Sequence, residues 1–398
     1  MSRSIVYLST YPPRRCGIAT FTHDLRAAVG GGRVYALGPT DGGPPEIGHT
    51  DPPEVMAFLL GHDAAHYRHA AIAIDGLDTG AVSLQHEFGI YGGPDGANVL
   101  AFADRLQTPL VTTLHTVLPE PGERQRTIVR ELGRRSEAMV VMSETAAGLL
   151  DRRYDVDPAR VRVIPHGVPD LARVDSELLK PELGLDGHRV VLSFGLIGPG
   201  KGYEAVVEAM ADVARRVPDA VYVILGTTHP DLVRREGERY RDSLRERAEA
   251  LGIADRIRFE NRFVGRDELA RWLQAADVFV TPYPNLGQIV SGTLSYAMGA
   301  GLAIVSTPYL YARELLAGGR GVLVPPASPE AFAESLSALL LDPDRREAIA
   351  ARAYARGREM TWSRVGAAYR DLFDEVAGGP VALRSRRGER AGEAAHVA

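Results

Sequence analysis

Residues 189–225 read RVVLSFGLIGPGKGYEAVVEAMADVARRVPDAVYVIL. The stretch begins with an apolar run that ends at Phe194, continues through a glycine-rich turn, and ends with a second apolar run over 220–225. Between the two runs, apolar residues recur at helical spacing from Tyr203 to Ala214. Runs that are apolar along their whole length are typical of strands covered on both faces. The stretch therefore predicts a strand–helix–strand unit of a parallel sheet.

The same alternation continues in both directions along the chain. Further strands are predicted at 4–9, 32–36, 70–74, 81–85, 110–113, 138–142, 161–164, 257–259, 278–281, 303–305 and 321–324. These are too many for one doubly wound sheet, so we predict an α/β protein with two Rossmann-like domains, 1–175 and 188–360, that face a central cleft. A last helix is predicted over 361–377, and the tail 378–398 lacks apolar periodicity and is predicted to be disordered.

Composition and charge exclude several classes of protein. The 398 residues include 46 Lys and Arg against 51 Asp and Glu, a net charge of −5, which does not favour nucleic-acid binding. Cys16 is the single cysteine, so the chain by itself can form neither a disulfide framework nor a multi-cysteine zinc site. No apolar run approaches the ~18 residues of a membrane span, and the N-terminus resembles a strand more than a signal peptide. We expect a soluble, cytoplasmic protein.

The turn 195–202 is a candidate phosphate-binding loop. It nearly matches the P-loop, but Gly202 replaces the Ser or Thr that holds Mg²⁺, and Tyr203 replaces the third glycine of a dinucleotide-binding turn. The turn follows a strand, begins a helix and carries Lys201. Helix N-terminal N–H groups and an ammonium group both favour an anion, so we predict that Lys201 binds phosphate.

A second candidate loop lies at 281–301. It also follows a strand, and Ser291, Gly292 and Thr293 begin a helix of small and apolar residues. Small side chains let backbone amides approach a diphosphate, whereas the alternative is a buried core helix with a polar cap. Two such helix starts at strand carboxyl ends predict one shared ligand.

Candidate site residues follow three predicted strands of the N-terminal half. Gly17 follows the first strand, where it either admits a bound group or permits a tight turn. His86 and Glu87 follow the strand 81–85, and His115 follows the strand 110–113. These side chains lack the spacing of a metal-binding motif, so we expect neither a metal ion nor a cofactor.

A series of short motifs resembles one known family. In chain order they are GIATFT (17–22), TLH (113–115), VMSE (141–144), VIPHGV (163–168), PGKG (199–202), AADVFV (275–280), AMGAG (297–301), Glu314 and GVLVPP (321–326). In this order and spacing they resemble the retaining GT-B glycosyltransferases of family 4, the glycosyl transferases group 1. The resemblance covers the chain except for its tail.

The resemblance implies a nucleotide-sugar-binding C-terminal domain and an acceptor-binding N-terminal domain, with the helix 361–377 crossing back to the N-terminal one. It implies that no metal is needed, because helix dipoles and basic side chains neutralise the diphosphate. Together with the residue patterns, it assigns the donor and its diphosphate to Gly17, Lys201, Ser291, Gly292, Thr293 and Glu314. His115 is expected near the donor sugar or the acceptor, and His86 and Glu87 are expected to line the acceptor site.

The chain departs from the family pattern at three positions. Gln288 and Tyr296 stand where the family carries its Glu–seven residues–Glu pair, and Leu196 stands where it carries a diphosphate-binding arginine. The Gln288 amide can still bond sugar hydroxyls, since it both donates and accepts hydrogen bonds. We expect His115, Lys201 and Gln288 to be the catalytic residues of a subgroup without the acidic pair.

The resemblance implies a retaining, metal-independent hexosyltransferase that acts on a nucleotide sugar and a carbohydrate-type acceptor. The expected donor is GDP-mannose, which would make the chain a mannosyltransferase, and UDP- and ADP-sugars are the alternatives. Two alternatives stay open. A GT-B nucleotide-sugar epimerase requires a pair of acidic general bases, and a degenerate, non-catalytic nucleotide-sugar-binding subunit would explain the lost glutamates and arginine.

Overall fold

The computed structural model describes residues 4–38, 52–59 and 63–378. These residues form two compact units. The first comprises the chain up to Pro165 together with the segment from Ser363 onward, and the second comprises His166–Trp362. Of the tail 378–398 that is predicted to be disordered, only Gly378 is among the described residues.

The first unit alternates strands and helices. Its elements up to Pro165 are β1 (Ser4–Ser9), α1 (Gly17–Val29), β2 (Arg33–Leu37), β3 (Val55–Leu59), α2 (Ala64–Asp75), β4 (Thr79–His86), α3 (Val99–Arg105), β5 (Leu110–Leu114), α4 (Glu123–Arg135), β6 (Ala138–Val141), α5 (Glu144–Tyr154) and β7 (Val161–Val163). The strands form a parallel sheet in the order β3-β2-β1-β4-β5-β6-β7. The order reverses between β1 and β4, and ligands of open α/β sheets bind at the carboxyl ends of strands at such a point.

The second unit repeats this architecture. Its elements are β8 (Arg189–Phe194), α6 (Tyr203–Arg216), β9 (Ala220–Leu225), α7 (Pro230–Glu236), α8 (Arg239–Ala250), β10 (Ile257–Glu260), α9 (Arg266–Ala275), β11 (Val278–Thr281), α10 (Gly292–Ala300), β12 (Ala303–Ser306), α11 (Leu310–Leu315), β13 (Val322–Leu323), α12 (Pro329–Leu341) and α13 (Pro343–Glu359). Its parallel sheet has the order β10-β9-β8-β11-β12-β13, so the order reverses between β8 and β11.

The apolar pattern of 189–225 explains the core of the second unit. All six residues of β9 are buried, as expected for a strand that is covered on both faces. One face of α6 carries Val206, Met210 and Val213 into the same core as Phe332 and Leu336 of α12. Ser328 caps α12 by accepting a hydrogen bond from the N–H of Ala331, with Pro329 in the first turn.

The last helix, α14 (Trp362–Gly378), belongs from Ser363 onward to the first unit. The Tyr369 hydroxyl lies 3.0 Å from the Thr113 hydroxyl at the end of β5. Gly366 packs so closely on α1 that an added Cβ would overlap the carbonyl of Ala28. Within the second unit, Val168 pairs with Thr361 just before this helix.

One predicted strand is wrong and one observed strand was not predicted. Residues 70–74 belong to α2, because Asp63 caps a helix there and the buried residues Tyr67, Ala70, Ala71 and Ile74 follow helical spacing. The edge strand β3 was missed because its residues are mostly half-exposed and lack a continuous buried run. The other predicted strands are confirmed, with ends that differ by at most two residues.

Candidate active site

The two predicted phosphate-binding loops of the second unit touch each other at the point where the strand order reverses. Gly202 has a φ of +67°, and a Cβ on it would overlap the carbonyl oxygen of Pro282. A Cβ on Gly195 would lie 3.3 Å from the side-chain methyl of Thr293. The close approach and the positive φ explain why glycine is needed at 202. The loops after β8 and β11 therefore form one continuous surface.

Lys201 is linked to the first turn of α10 through one aromatic ring. Its Nζ lies 4.4 Å from the ring centroid of Tyr283, a distance at which an ammonium is attracted to the ring face. The Tyr283 hydroxyl in turn lies 2.7 Å from the Thr293 hydroxyl, and its ring stacks on Tyr309 at 5.4 Å. The structure thus brings Lys201 and Thr293 together around Tyr283.

The first turn of α10 presents backbone rather than side-chain donors. The Ser291 hydroxyl accepts a hydrogen bond from the N–H of Leu294 at 3.3 Å and lies 3.2 Å from the Thr293 hydroxyl. Both hydroxyls already form hydrogen bonds within the protein, so we expect them to contribute less to diphosphate binding than the sequence suggests. The first N–H groups of a helix have no intrahelical acceptor, and this turn carries no acidic side chain. The N–H groups of Gly292 and Thr293 are therefore the donors that suit an anion.

Gln288 is held with a defined orientation in the loop before α10. Its side-chain Nε2 donates a hydrogen bond to the backbone carbonyl of Val290 at 2.9 Å. The backbone carbonyl of Gln288 accepts a hydrogen bond from the N–H of Tyr311 at 3.1 Å. The bond to Val290 uses one of the two N–H groups of the side-chain amide, which leaves the side-chain oxygen and the second N–H for a ligand. Glu314 lies on α11, which begins beside this loop, and its side chain is half-buried.

Tyr296, which stands in place of a family glutamate, is a packing residue. It is buried, and its ring lies 6.1 Å from His166 and 6.3 Å from Phe194. His166 is itself buried, and its Nδ1 donates to the carbonyl of Gly167 at 2.8 Å. Tyr309 and Tyr311 are also buried, and burial raises the pKa of Tyr311 to about 12. These buried tyrosine rings pack beneath the surface of the second unit and support the loops after β8 and β11.

In the first unit, Gly17 lies at the start of α1, after β1. A Cβ on it would meet no atom within 4 Å, and its φ lies outside the left-handed region. The turn therefore does not require glycine, which disfavours the alternative weighed from the sequence. Cys16 caps α1 by accepting a hydrogen bond from the N–H of Ala19 at its Sγ, at 3.3 Å. The open space at Gly17 adjoins a helix N-terminus at the β1–β4 reversal.

His115 lies at the end of β5 and is held by a residue that sequence reasoning missed. Its Nε2 is 2.9 Å from Oε1 of Gln85, while Nε2 of Gln85 donates to the Ser83 hydroxyl at 3.0 Å. Because the amide oxygen of Gln85 can only accept, this hydrogen bond places a proton on Nε2 of His115. The His115 ring packs edge-on against Phe21 of α1 at 4.8 Å. The sequence signal for this support was a pair of polar residues at 83 and 85 in the apolar strand 81–85. Residues two apart in a strand lie on the same face.

Glu87 lies beside His115 in the same unit. Its carboxylate accepts hydrogen bonds from the Thr116 hydroxyl and from the N–H of Phe88. Burial raises the pKa of Glu87, and these two hydrogen bonds oppose the shift. The structure therefore brings Glu87, Thr116 and His115 to neighbouring strand ends.

His86 does not fit the expected acceptor-lining role. Its side chain has no exposed surface, and its ring lies between Phe88, at 4.9 Å, and Tyr91, at 5.9 Å. Neither ring nitrogen has a hydrogen-bond partner, and burial lowers the pKa of His86 to about 3. The side chain points into the core of the unit, so we leave His86 out of the acceptor site.

Over the residues 4–38, 52–59 and 63–378, no group of three or more His, Cys, Asp or Glu side chains could hold a metal ion. In the same described part of the chain, no helix is both long enough and apolar enough to cross a bilayer.

Comparison with known proteins identifies the family. The model of the glycosyl transferases group 1 matches residues 175–356, and that of glycosyltransferase family 4 matches residues 17–170. The chain is 31% identical over 298 residues to a D-inositol 3-phosphate glycosyltransferase of Actinosynnema mirum, an alignment that covers 68% of this chain and 70% of that protein. The chain belongs to the glycosyl transferases group 1.

Other members of the group extend beyond the matched region. A D-inositol 3-phosphate glycosyltransferase of Segniliparus rotundus is 30% identical over 280 residues, which cover 65% of this chain. The chain spans 59% of the length of that relative. The two family models and the relatives confirm the expected family, glycosyl transferases group 1 and glycosyltransferase family 4.

A solved structure shares the fold. The crystal structure of Anabaena HepE in complex with UDP and glucose matches 93% of this chain and 99% of that one, with a TM-score of 0.71 and 15% identity. The two parallel-sheet α/β units are those of a GT-B glycosyltransferase, as the sequence predicts.

Proposed function

We propose that this protein transfers a glycosyl group, with retention, from a nucleotide sugar to a hydroxyl of a carbohydrate-type acceptor, without a metal ion. The observation that carries the proposal is the convergence of two helix starts and Lys201 at the strand reversal of the second unit. Group 1 membership supports the reaction class.

The second unit suits the leaving diphosphate. The N-termini of α6 and α10 contribute partial positive charge, and Lys201 adds a full one. These groups are already fixed, by the Lys201–Tyr283 contact and by the Ser291 cap, before a ligand arrives. Preorganised donors of this kind stabilise charge that develops as the bond to the sugar breaks.

The proposed chemistry requires no protein nucleophile. The acceptor oxygen bonds to the anomeric carbon on the face from which the diphosphate departs, and a donor phosphate oxygen takes the hydroxyl proton. The bond from the anomeric carbon to the phosphate oxygen breaks, and its electron pair leaves with the diphosphate. Lys201 and the N–H groups of Gly292 and Thr293 would stabilise the negative charge on the diphosphate. Gln288 Oε1 would accept a hydrogen bond from a hydroxyl of the donor sugar.

For the donor we propose GDP-mannose first, as the sequence motifs suggest. A UDP-sugar is the second candidate, since the structural neighbour HepE is described with UDP and glucose. For the acceptor, the relatives are named for D-inositol 3-phosphate, so a phosphorylated polyol is the acceptor to test first. We propose Glu87 and His115 as the acceptor-facing pair, because their strand ends lie at or beside the β1–β4 reversal.

A panel of nucleotide sugars tests the proposal. Purified protein is mixed with GDP-mannose, UDP-glucose, UDP-N-acetylglucosamine and ADP-glucose, and thermal shift and slow release of nucleoside diphosphate are measured. We expect one donor to raise the melting temperature and to be hydrolysed slowly, with faster release when inositol phosphate or a simple glycoside is added. Binding without turnover under every condition would favour the non-catalytic subunit.

A further inference from the structure

Arg241 is a buried cation whose hydrogen bonds are incomplete. The residue is fully buried on α8, and its Nε and Nη1 have no hydrogen-bond partner. Nη2 donates to the carbonyl of Gly226 at 3.4 Å, and Nη1 lies 3.3 Å from Oε2 of Glu238, an ion pair without the geometry of a hydrogen bond. A buried guanidinium is costly when its donors are not all satisfied, so stability alone does not explain it.

Arg241 contacts the segment that supports the phosphate-binding turn. Gly226 directly follows β9, and a Cβ on it would overlap the carbonyl oxygen of Gly195. Beyond the ends of the strands, the N–H of Ile197 donates to the carbonyl of Thr227 at 2.9 Å. The Thr228 hydroxyl donates to Glu238, the ion-pair partner of Arg241. The pair therefore holds residues 226–228, on which residues 195–197 rest.

A second buried cation in the same unit shows the contrast. Lys180 is equally buried, but it pairs with Asp277 at 2.9 Å and with Glu177 at 2.5 Å. Asp277 also accepts a hydrogen bond from the N–H of Val190, at the beginning of β8. Lys180 thus lies at the amino edge of the sheet and is fully paired, whereas Arg241 lies at the carboxyl edge, where ligands bind.

We propose that Arg241 is a positioning residue for the diphosphate site, acting through residues 226–228 on the turn that leads to Lys201. Its Nη2 contacts the carbonyl of Gly226, and Gly226 packs on Gly195, the first residue of that turn. The inference rests on the proposed function, because it presumes that the second unit binds a nucleoside diphosphate.

The test compares the two buried cations. UDP, GDP and ADP are titrated by calorimetry into the full chain, into Arg241→Gln and Arg241→Lys, and into Lys180→Gln as the matched control. Melting temperatures are recorded in parallel. For the diphosphate that binds the wild type, we expect Arg241→Gln to lower the affinity by tenfold or more. Arg241→Lys keeps the charge and should lose less affinity. Lys180→Gln should lower the melting temperature but leave affinity within about twofold of wild type.

Thr228→Val is the second variant, because it is nearly isosteric and leaves the buried charge in place. It removes the hydrogen bond from residue 228 to Glu238, and we expect a several-fold loss of affinity even if Arg241→Gln fails to fold. Unchanged affinity in either foldable variant, or an equal loss in Lys180→Gln, would overturn the inference. A wild type that binds none of the three diphosphates would instead refute the proposed function.

Discussion

Replacing Lys201 by Met separates its structural contact from its proposed role at the diphosphate. In the free protein, the variant loses the contact between the ammonium and the Tyr283 ring at 4.4 Å. Such a contact contributes about 0.5–1 kcal/mol when partly exposed. For a unit of this size, that loss lowers the melting temperature by no more than about 4 °C.

The expected effect on activity is much larger. A hydrogen bond to a charged group contributes about 1.5–3 kcal/mol. At about 1.4 kcal/mol per tenfold, kcat/KM should fall roughly 10- to 150-fold. The effect should appear mainly in kcat, because the diphosphate gains charge as it leaves.

Steady-state release of nucleoside diphosphate measures this loss, and calorimetric unfolding measures stability. Arg215→Met is the control, since it removes an exposed cation from the last turn of the same helix, α6. Lys201→Met with near-normal kcat/KM would refute the role, as would a rate loss that Arg215→Met reproduces.

Three further outcomes are expected. Gln288→Ala should weaken binding of the intact nucleotide sugar and leave binding of the bare diphosphate almost unchanged; equal losses in calorimetry would mean that Gln288 only braces its loop. Activity should survive EDTA, and loss of activity with rescue by Mg²⁺ or Mn²⁺ would contradict the metal-independent mechanism. The folded state holds the pKa of His86 near 3, below the unfolded value near 6.5, so the unfolded chain takes up the proton first and stability falls as pH drops through this window. His86 should contribute about 1.4 kcal/mol per pH unit to the fall in unfolding free energy between pH 6 and 4, so the slope measured by chemical unfolding should be smaller by that amount in His86→Leu; an equal slope in the variant would contradict the prediction.

The strand pattern and the loop chemistry were predictable from the sequence because each rests on local composition. The apolar run of β9 predicts a buried strand, and the glycine-rich turn before α6 predicts a helix start. Neither prediction needs information from the rest of the chain. Residues 70–74 show the limit of that reasoning. A short apolar run suits a buried strand or the inner face of a helix equally well, and the Asp63 cap and the buried Tyr67 decide for the helix.

The candidate site was less predictable because side-chain partners come from distant parts of the sequence. His86 and His115 occupy similar strand ends, yet His86 turns into a core of Phe88 and Tyr91 while His115 is held by Gln85. Arg241 is an ordinary arginine of a charged helix in the sequence. Its burial and its contact with the carbonyl of Gly226 depend on how α8 packs within the second unit, which no local pattern reveals.

Retaining glycosyl transfer can be observed directly by proton NMR. The donor that the panel selects is incubated with the wild type and an acceptor, and the anomeric signals of donor and product are recorded over time with Lys201→Met in parallel. We expect a new glycoside with the donor's own anomeric configuration, formed together with nucleoside diphosphate and formed much more slowly by the variant. A product of inverted configuration, or an isomerised nucleotide sugar without release of diphosphate, would contradict the proposed function.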